Sequence, residues 1–359
     1  MSVTDLTTFG WDEFFERHFQ TYQASGYTSA RVVLEHKNFF RVYTQYGEVL
    51  AEISGKLRHE AANRRDLPAV GDWVVIRAQP EDRRVTIHAV LRRRTSFGRK
   101  IAGSRTEEQI VGTNIDTVFL LTSLNQDFSL RRIERYLVTA WESGANPVIV
   151  LSKSDLCNRV DELIDDVQGV APGVAIHAIS VVTGDGLDDI AQYFKRGHTV
   201  ALLGSSGVGK STLINHLAGD DQLKVQTVRE HDDRGKHTTT HRELILLPGG
   251  GLVLDTAGMR ELQLWDGDES LQLVFDDIEA LAEECFFGDC RHEDEPRCAV
   301  RNALEAGAID AGRYEGYKKL QKELQYMARK KDKLSEIVEK KKWKKLSRLA
   351  SERGRLKRS

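Results

Sequence analysis

The sequence feature that most constrains the fold is a short glycine-containing loop between an apolar run and a helix-forming segment. Residues 204–211 read Gly-Ser-Ser-Gly-Val-Gly-Lys-Ser and match the pattern G-x-x-x-x-G-K-S at every fixed position. The run TVALL precedes the loop and TLINHLAG follows it. Such a loop binds phosphate because its N–H groups and the helix N-terminus converge on one anion. The chain is therefore predicted to contain an α/β domain with a nucleotide phosphate site.

The residues of this loop are all predicted to take part in nucleotide binding. The Lys210 ammonium is expected on the β- and γ-phosphates, which makes it a candidate catalytic group, and the Ser211 hydroxyl is a candidate Mg²⁺ ligand. The other predicted phosphate-site residues are Gly204, Ser205, Ser206, Gly207, Val208, Gly209 and Thr212. Downstream, Asp255 ends the apolar run GLVLD and begins a D-x-x-G pattern that closes at Gly258. We expect Asp255 to hold Mg²⁺ through water and the Gly258 N–H to sense the γ-phosphate.

A polar segment, HDDRGKHTTTHRE, lies between these two motifs and contains three consecutive threonines. One threonine is expected to coordinate Mg²⁺ when GTP is bound, and we assign this role to Thr239. The alternative is a polar loop without any ligand role.

The identity of the base is predicted from a second group of residues. Ser152-Lys153-Ser154-Asp155 follows the apolar run NPVIVL and is similar to the N-K-x-D motif that reads guanine. The Asp155 carboxylate can accept from the guanine N1–H and exocyclic amine, donors that adenine lacks. We expect the Lys153 stem to lie along the base. Ser152 replaces the usual Asn, which leaves open how this loop is tied to the phosphate loop.

Ser180 ends the run VAIHAIS and fits the last guanine-site motif, whose backbone N–H meets the guanine oxygen. A different reaction class stays open at this point. In an ATPase or kinase with the same phosphate loop, residues 152–155 would be only a turn at the end of a strand.

The order of the motifs is unusual, because the base-reading residues Asp155 and Ser180 precede Gly204 in the sequence. Cutting and rejoining a chain at surface termini leaves the three-dimensional site unchanged. The sequence therefore predicts a circularly permuted domain, in which the strand ending at Asp255 leads almost directly into the C-terminal part of the chain.

Three of the four cysteines lie within fourteen residues. Cys285, Cys290, His292 and Cys298 supply three thiolates and one imidazole, a ligand set that suits tetrahedral Zn²⁺. Four protein ligands leave no open coordination position, so we predict one structural zinc ion. Cys157 lies far away in sequence and is expected to be an ordinary thiol.

With these motifs in place, the chain resembles the circularly permuted, ribosome small-subunit-dependent GTPase A family of bacteria. The resemblance rests on Val70-Gly71-Asp72-Trp73-Val74, the motif order, Gly235-Lys236-His237-Thr238-Thr239-Thr240 and the cysteine cluster. It implies a GTPase that binds the 30S subunit and its 16S rRNA, assists late maturation or quality control, and is stimulated by that subunit. Ala257 stands where the family commonly has Pro. The resemblance also makes His237 the candidate catalytic histidine, since Met259 cannot orient water.

The predicted fold class is multidomain: a β-barrel of the OB type, then an α/β circularly permuted P-loop GTPase domain, then a helical zinc-binding C-terminal domain. Five short alternating strands in the first hundred residues suit such a barrel. The predicted boundaries are a helical N-terminal extension at 1–30, the RNA-binding barrel at 31–95, a linker at 96–110, the GTPase domain at 111–265, the zinc-binding domain at 266–320 and a basic helical tail at 321–359.

Charge is distributed unevenly along the chain. Residues 318–359 contain 17 Lys or Arg and 5 Asp or Glu, a net charge of +12, whereas the whole chain carries −2. Such a tail is either a solvated helical face or a contact for a polyanion, and the single Trp among its basic residues favours RNA. A second functional class also stays open, an RNA-binding module whose nucleotide turnover is incidental. We expect a cytoplasmic monomer with no membrane contact, because the sequence shows neither a signal peptide nor a long apolar run.

Overall fold

Five short strands near the N-terminus close into a barrel. The computed structural model describes residues 5–36, 39–79, 81–100, 108–125, 127–219, 242–255 and 268–329. The strands are β1 (Thr28–Glu35), β2 (Phe40–Thr44), β3 (Gly47–Ile53), β4 (Trp73–Arg77) and β5 (Arg84–Val90). β1 pairs with both β2 and β4, β4 pairs with β5, and β3 closes the ring by a parallel pairing with β5. Alternate residues of β2 are buried, as expected for a strand with one face on a core. The predicted OB-type barrel is confirmed.

The N-terminal segment packs against this barrel. Helix α1 (Glu13–Gln23) begins after Asp12, whose carboxylate accepts from the Phe14 and Phe15 N–H groups. Phe15 and Phe19, one turn apart, are buried, and Trp11 packs edge-on against Trp73 of β4. A second short helix, α2 (Gly55–Glu60), follows β3. The segment predicted as a helical extension therefore contains a helix that packs against the barrel.

Within residues 96–110, predicted as a linker, the described residues form paired strands, and residues 101–107 lie outside the described ranges. β6 (Ser96–Lys100) and β7 (Glu108–Thr113) form an antiparallel pair separate from the larger sheet. The Thr113 N–H donates to the Val70 carbonyl oxygen at 3.0 Å. The polar, glycine-containing sequence favours a linker locally, but strand pairing is decided by partners distant in sequence.

A parallel sheet flanked by helices follows. Its elements are β8 (Thr117–Ser123), α3 (Leu130–Ser143), β9 (Asn146–Ser152), α4 (Val160–Val170), β10 (Ala175–Ile179), α5 (Leu187–Ala191), β11 (Thr199–Gly204), α6 (Lys210–Ala218), β12 (Glu243–Leu246) and β13 (Leu252–Asp255). The strand order is β10-β9-β8-β11-β13-β12, and the first five strands are parallel. β12 and β13 form the antiparallel pair predicted from the glycines between them. Continuous apolar runs such as β8 and β11 are buried on both faces, as parallel strands require.

The barrel and the parallel sheet are joined by backbone pairing. Leu34 of β1 lies opposite Glu243 of β12, so the two sheets continue into each other. Arg41 forms an ion pair with Glu243, and Arg31 is buried at the junction. The Arg31 guanidinium donates to the backbone oxygens of Phe9, Gly71 and Asn114 and to the Thr199 hydroxyl. Burial lowers the pKa of Arg31 to about 10, and the negative charges of Asp116 and Asp72 act in the opposite direction.

The described residues from 268 onward form a second compact unit, separate from the residues up to 255. It contains α7 (Asp268–Val274), α8 (Asp276–Glu283), α9 (Ala299–Glu305) and a final helix, α10, over residues 311–329. Apolar side chains of all four helices are buried in it, namely Leu271, Val274, Ile278, Val300, Leu320 and Leu324. The buried Arg313 donates to Asp277 at 2.7 and 2.8 Å and to the Val274 carbonyl oxygen at 2.8 Å. The predicted helical C-terminal domain is confirmed. None of the helices in the described ranges has the length and apolar character needed to cross a membrane.

Candidate active site and metal centre

The phosphate loop joins β11 to α6 at the carboxyl edge of the parallel sheet. β11 ends at Gly204 and α6 begins at Lys210. Gly207 and Gly209 have φ values of +81° and +98°, a left-handed conformation that glycine adopts without strain. A Cβ atom at Gly204 would lie 2.5 Å from the Leu121 carbonyl oxygen of β8. The neighbouring strand therefore excludes a side chain at the first position of the loop.

Lys210 is the first residue of α6, and its ammonium group folds back into the phosphate loop. It donates to the carbonyl oxygens of Gly204 at 2.7 Å and Ser205 at 2.6 Å. A phosphate group bound in this loop would compete with those two oxygens for the ammonium. The geometry suits a lysine that transfers its hydrogen bonds to a nucleotide.

The predicted base-reading loop contacts the phosphate loop directly. The Ser152 hydroxyl, buried at the end of β9, donates to the Val208 carbonyl oxygen at 2.6 Å. The Lys153 ammonium donates to the Gly207 carbonyl oxygen at 2.7 Å, and Lys153 itself has a φ of +61°. Ser152 thus supplies a tie to the phosphate loop although it replaces the usual Asn. Asp155 follows in an exposed 3-10 turn.

Strand register brings the predicted site residues together. Gly204 is paired with Leu121, Ser123 with Ser152, and Ser152 with Ile179. Since the carboxyl ends of parallel strands meet at one edge of a sheet, the residues that follow β11, β9 and β10 lie on that edge. The phosphate and base-reading loops are therefore adjacent despite their reversed order in the sequence.

The backbone N–H and the hydroxyl of Ser180 both form hydrogen bonds within its own loop. Its backbone N–H donates to the Asp185 carbonyl oxygen at 3.0 Å, and its buried hydroxyl accepts from the Thr183 N–H at 3.2 Å. Both hydrogen bonds stabilise the conformation of the loop at residues 180–185. The predicted donation from Ser180 to the guanine oxygen stays a prediction.

Asp255 ends β13 next to the phosphate strand, as predicted for a residue on the Mg²⁺ side. Burial raises its pKa, and the positive charge of Lys210 acts in the opposite direction. A cation bound beside Asp255 would favour the ionised carboxylate further. Three other predicted site residues, His237, Thr239 and Gly258, lie outside the described residues.

Two residues that we did not predict also contact the phosphate loop. The Asp127 carboxylate accepts from the Ser205 hydroxyl, and Arg132 of α3 lies 2.8 Å from Asp127 and 3.2 Å from the Ser205 hydroxyl. The hydrogen bond from Ser205 and then Arg132 lower the pKa of Asp127. The sequence could have indicated Asp127 and Arg132 through their position after β8, since residues that follow this strand lie at the same edge of the sheet as the phosphate loop.

The cysteine cluster has the dimensions of a zinc site. The four candidate ligand atoms of Cys285, Cys290, His292 and Cys298 all lie within 4.8 Å of one another. The sulfurs of Cys285 and Cys298 are 3.8 Å apart, and His292 Nδ1 lies 3.6 and 3.4 Å from them. A tetrahedron with Zn–S of about 2.3 Å and Zn–N of about 2.05 Å has edges of about 3.8 and 3.5 Å. The residues present therefore fit tetrahedral Zn²⁺.

We expect Cys290→Ala to abolish zinc binding and unfold the C-terminal unit while nucleotide binding is retained. Structural zinc sites contribute about 10–16 kcal/mol in small domains, as much as the whole stability of a typical domain. Metal analysis and hydrogen exchange of residues 268–329 would measure the effect, with Cys157→Ala as the matched control. Full zinc occupancy in Cys290→Ala would contradict the ligand set.

We expect Asp155→Asn to shift nucleotide preference from GTP toward XTP. An amide can donate to the xanthine oxygen that replaces the guanine amine, whereas the carboxylate only accepts. Competition binding with GTP, XTP and ATP would measure the change, with Asp165→Asn on α4 as the control. Unchanged selectivity for GTP would place base recognition elsewhere.

The fold and the site together define a class of protein. The phosphate loop, its neighbouring Asp255 and the base-reading loop occupy one edge of a parallel sheet, with the base-reading segment first in the chain. The class is that of circularly permuted P-loop GTPases.

Known proteins of this class match the chain over most of its length. The family model described as RsgA GTPase matches residues 90–265, and one described as 50S ribosome-binding GTPase matches residues 199–341. The small ribosomal subunit biogenesis GTPase RsgA of Opitutus terrae is 47% identical over 350 residues, which cover 95% of each chain. The crystal structure of YjeQ from Thermotoga maritima has a TM-score of 0.60 at 28% identity, over 83% of this chain and 99% of that one. The crystal structure of YloQ, described as a circularly permuted GTPase, has a TM-score of 0.57 at 25% identity, over 86% of this chain and 96% of that one.

Identity of this extent shows that the chain belongs to the RsgA GTPase family. It is a GTP-hydrolysing enzyme.

Proposed function

We propose that this GTPase binds the small ribosomal subunit, assists its late maturation or quality control, and hydrolyses GTP to GDP and phosphate faster when bound to that subunit. The observation that carries the proposal is the 47% identity, over 95% of both chains, to a small ribosomal subunit biogenesis GTPase. The permuted fold and the tied nucleotide loops support it, because they retain the parts that such a reaction needs.

We assign roles to the site residues from the sequence motifs and, where the residues are described, from their contacts. The N–H groups of residues 204–212 bind the phosphates, and Lys210 neutralises charge that develops on them during transfer. Mg²⁺, when bound with GTP, would be held by the Ser211 hydroxyl, by Thr239 and through water by Asp255, and would supply positive charge that stabilises the phosphates. Asp155 and Lys153 select guanine. The ties from Ser152 and Lys153 to the phosphate loop keep both parts of the nucleotide site in register.

The partner is assigned from the barrel and the tail. OB-type barrels commonly bind nucleic acids, and residues 318–359 carry a net charge of +12. We infer that both contact 16S rRNA in the small subunit and that the enzyme acts as a monomer in the cytoplasm. Most of the basic tail, from residue 330, lies outside the described residues.

Circular permutation suggests how hydrolysis is linked to binding. The strand β13, which ends at Asp255 beside the phosphate loop, is followed after twelve residues by the first helix of the C-terminal unit. A change in the γ-phosphate contacts near Gly258 would therefore act on the segment that leads into that unit.

The test is a GTPase assay of the purified chain with 30S, 50S and 70S particles. We expect stimulation by 30S subunits alone, and competition by XTP or ATP should be weak. Stimulation by 50S subunits instead would favour the function described for the family whose model matches residues 199–341. Equal turnover with and without particles would indicate an RNA-binding module with incidental hydrolysis.

A further inference from the structure

The C-terminal unit contains a basic groove between the metal-ligand loop and α10. Its volume is about 540 Å³, and it is lined by Cys290, Arg291, His292, Glu293, Lys318, Gln321, Lys322, Gln325 and Arg329. Four of these side chains are cationic and only Glu293 is acidic. We propose that this groove binds the backbone of single-stranded RNA, which deepens and rests on the proposed interaction with ribosomal RNA.

The helical wall of the groove carries three cations and one amide in a row. Intervals of four, three and four residues separate Lys318, Lys322, Gln325 and Arg329, so these side chains lie along one side of α10. The rise from Lys318 to Arg329 is about 16 Å, which is long enough to contact several consecutive phosphates of one strand. Within the described part of the chain, no carboxylate is paired with Lys322 or Arg329. Their charges are therefore available to phosphates.

The opposite wall is shaped by the metal ligands. Cys290 and His292 are two of the four candidate zinc ligands, so the metal would hold this segment in place. The Lys318 ammonium donates to the Arg291 carbonyl oxygen at 2.9 Å and links the two walls. The Glu295 carboxylate accepts from the N–H groups of Arg291 and Glu293, at 3.0 and 2.9 Å. That carboxylate is engaged by its own loop and does not line the groove.

The volume of the groove, and an exposed aromatic residue adjacent in sequence to the lining residue Gln325, favour a single strand over a duplex. A groove of this volume falls within the range of pockets that enclose small ligands, about 300–1,000 Å³, so it admits one backbone. Tyr326, one turn after Lys322, is 54% exposed. Aromatic side chains beside basic grooves stack unpaired bases without reading their sequence. We therefore assign the phosphates to the groove and a base to Tyr326.

The test measures binding of the full-length protein to a fluorescent single-stranded RNA of twelve nucleotides over a range of salt concentrations. Each phosphate contact contributes about 0.7 to the slope of log affinity against log salt for single strands. We expect Lys322→Gln and Arg329→Gln each to lower the slope by about 0.7. Lys319→Gln, an exposed lysine of the same helix outside the groove, should leave the slope unchanged. Tyr326→Ala should weaken binding about 5- to 100-fold, with little change in slope.

Several outcomes would overturn the proposal. Equal losses in Lys319→Gln and Lys322→Gln would mean a general field of positive charge and no specific groove. The same dependence on Lys322 and Arg329 with duplex RNA would exclude the single-strand assignment. Unchanged RNA binding together with weaker binding to 30S particles would indicate a protein partner. Because the oligonucleotide assay contains no ribosome, failure of the proposed function would show separately, as absent stimulation of wild-type hydrolysis by 30S subunits.

Discussion

Lys210→Ala is expected to reduce GTP hydrolysis by at least about 10³-fold, with or without ribosomal particles. Removal of a single group that stabilises transition-state charge typically lowers rates by about 10²–10³-fold, and Lys210 would also be lost from ground-state phosphate binding. Single-turnover hydrolysis and binding of a fluorescent GTP analogue would separate the two effects.

The fold should tolerate this substitution, because the hydrogen bonds from the ammonium to the carbonyl oxygens of Gly204 and Ser205 lie within its own loop. Lys195→Ala, an exposed lysine of the same unit, provides the matched control. A thermal melt would check that both variants are folded. Turnover of Lys210→Ala at the wild-type rate would remove the phosphate loop from the active site.

His237→Ala is expected to slow small-subunit-stimulated hydrolysis by about 10²–10⁴-fold, the usual loss for one acid–base or water-orienting group. GTP binding should change little. The reason is that Met259 cannot orient water, and His237 is the polar candidate that the family resemblance assigns to this task. The test needs the ribosome, because subunit binding is expected to complete the catalytic arrangement.

His231→Ala, a histidine of the same segment, serves as the control for this experiment. Saturating 30S subunits and GTP in a single-turnover format would isolate the chemical step. Stimulated rates of His237→Ala within about threefold of wild type fall outside the expected range. Such rates would mean that His237 has no catalytic role, and the assignments of Lys210 and Asp155 would not change.

The backbone pairing of β1 with β12 has a consequence for how the barrel is coupled to the nucleotide site. β12 follows the segment that contains His237 and Thr239, and it pairs with β13, which ends at Asp255. Arg41 of the barrel forms an ion pair with Glu243 at the start of β12. The RNA contact proposed for the barrel would therefore act on a strand that lies, in the sequence, between the two segments predicted to sense the nucleotide.

Short-range patterns predicted many of the elements and motifs, although not β6 and β7. Alternation of apolar and polar residues indicated the barrel strands, and continuous apolar runs indicated β8, β9 and β11, because each pattern reflects the number of buried faces. The phosphate loop and the cysteine cluster were predictable from spacing alone, since their ligands come from one local segment. The reversed motif order was likewise visible without coordinates.

Contacts between distant segments could be decided only by the tertiary structure. These include the pairing of β6 with β7, the tie from Ser152 to Val208, the engagement of the Ser180 N–H by Asp185, and the approach of Asp127 and Arg132 to Ser205. In each case a polar group could pair with any of several partners. Which pair forms depends on which strands lie side by side and in what register, and local sequence carries little of that information.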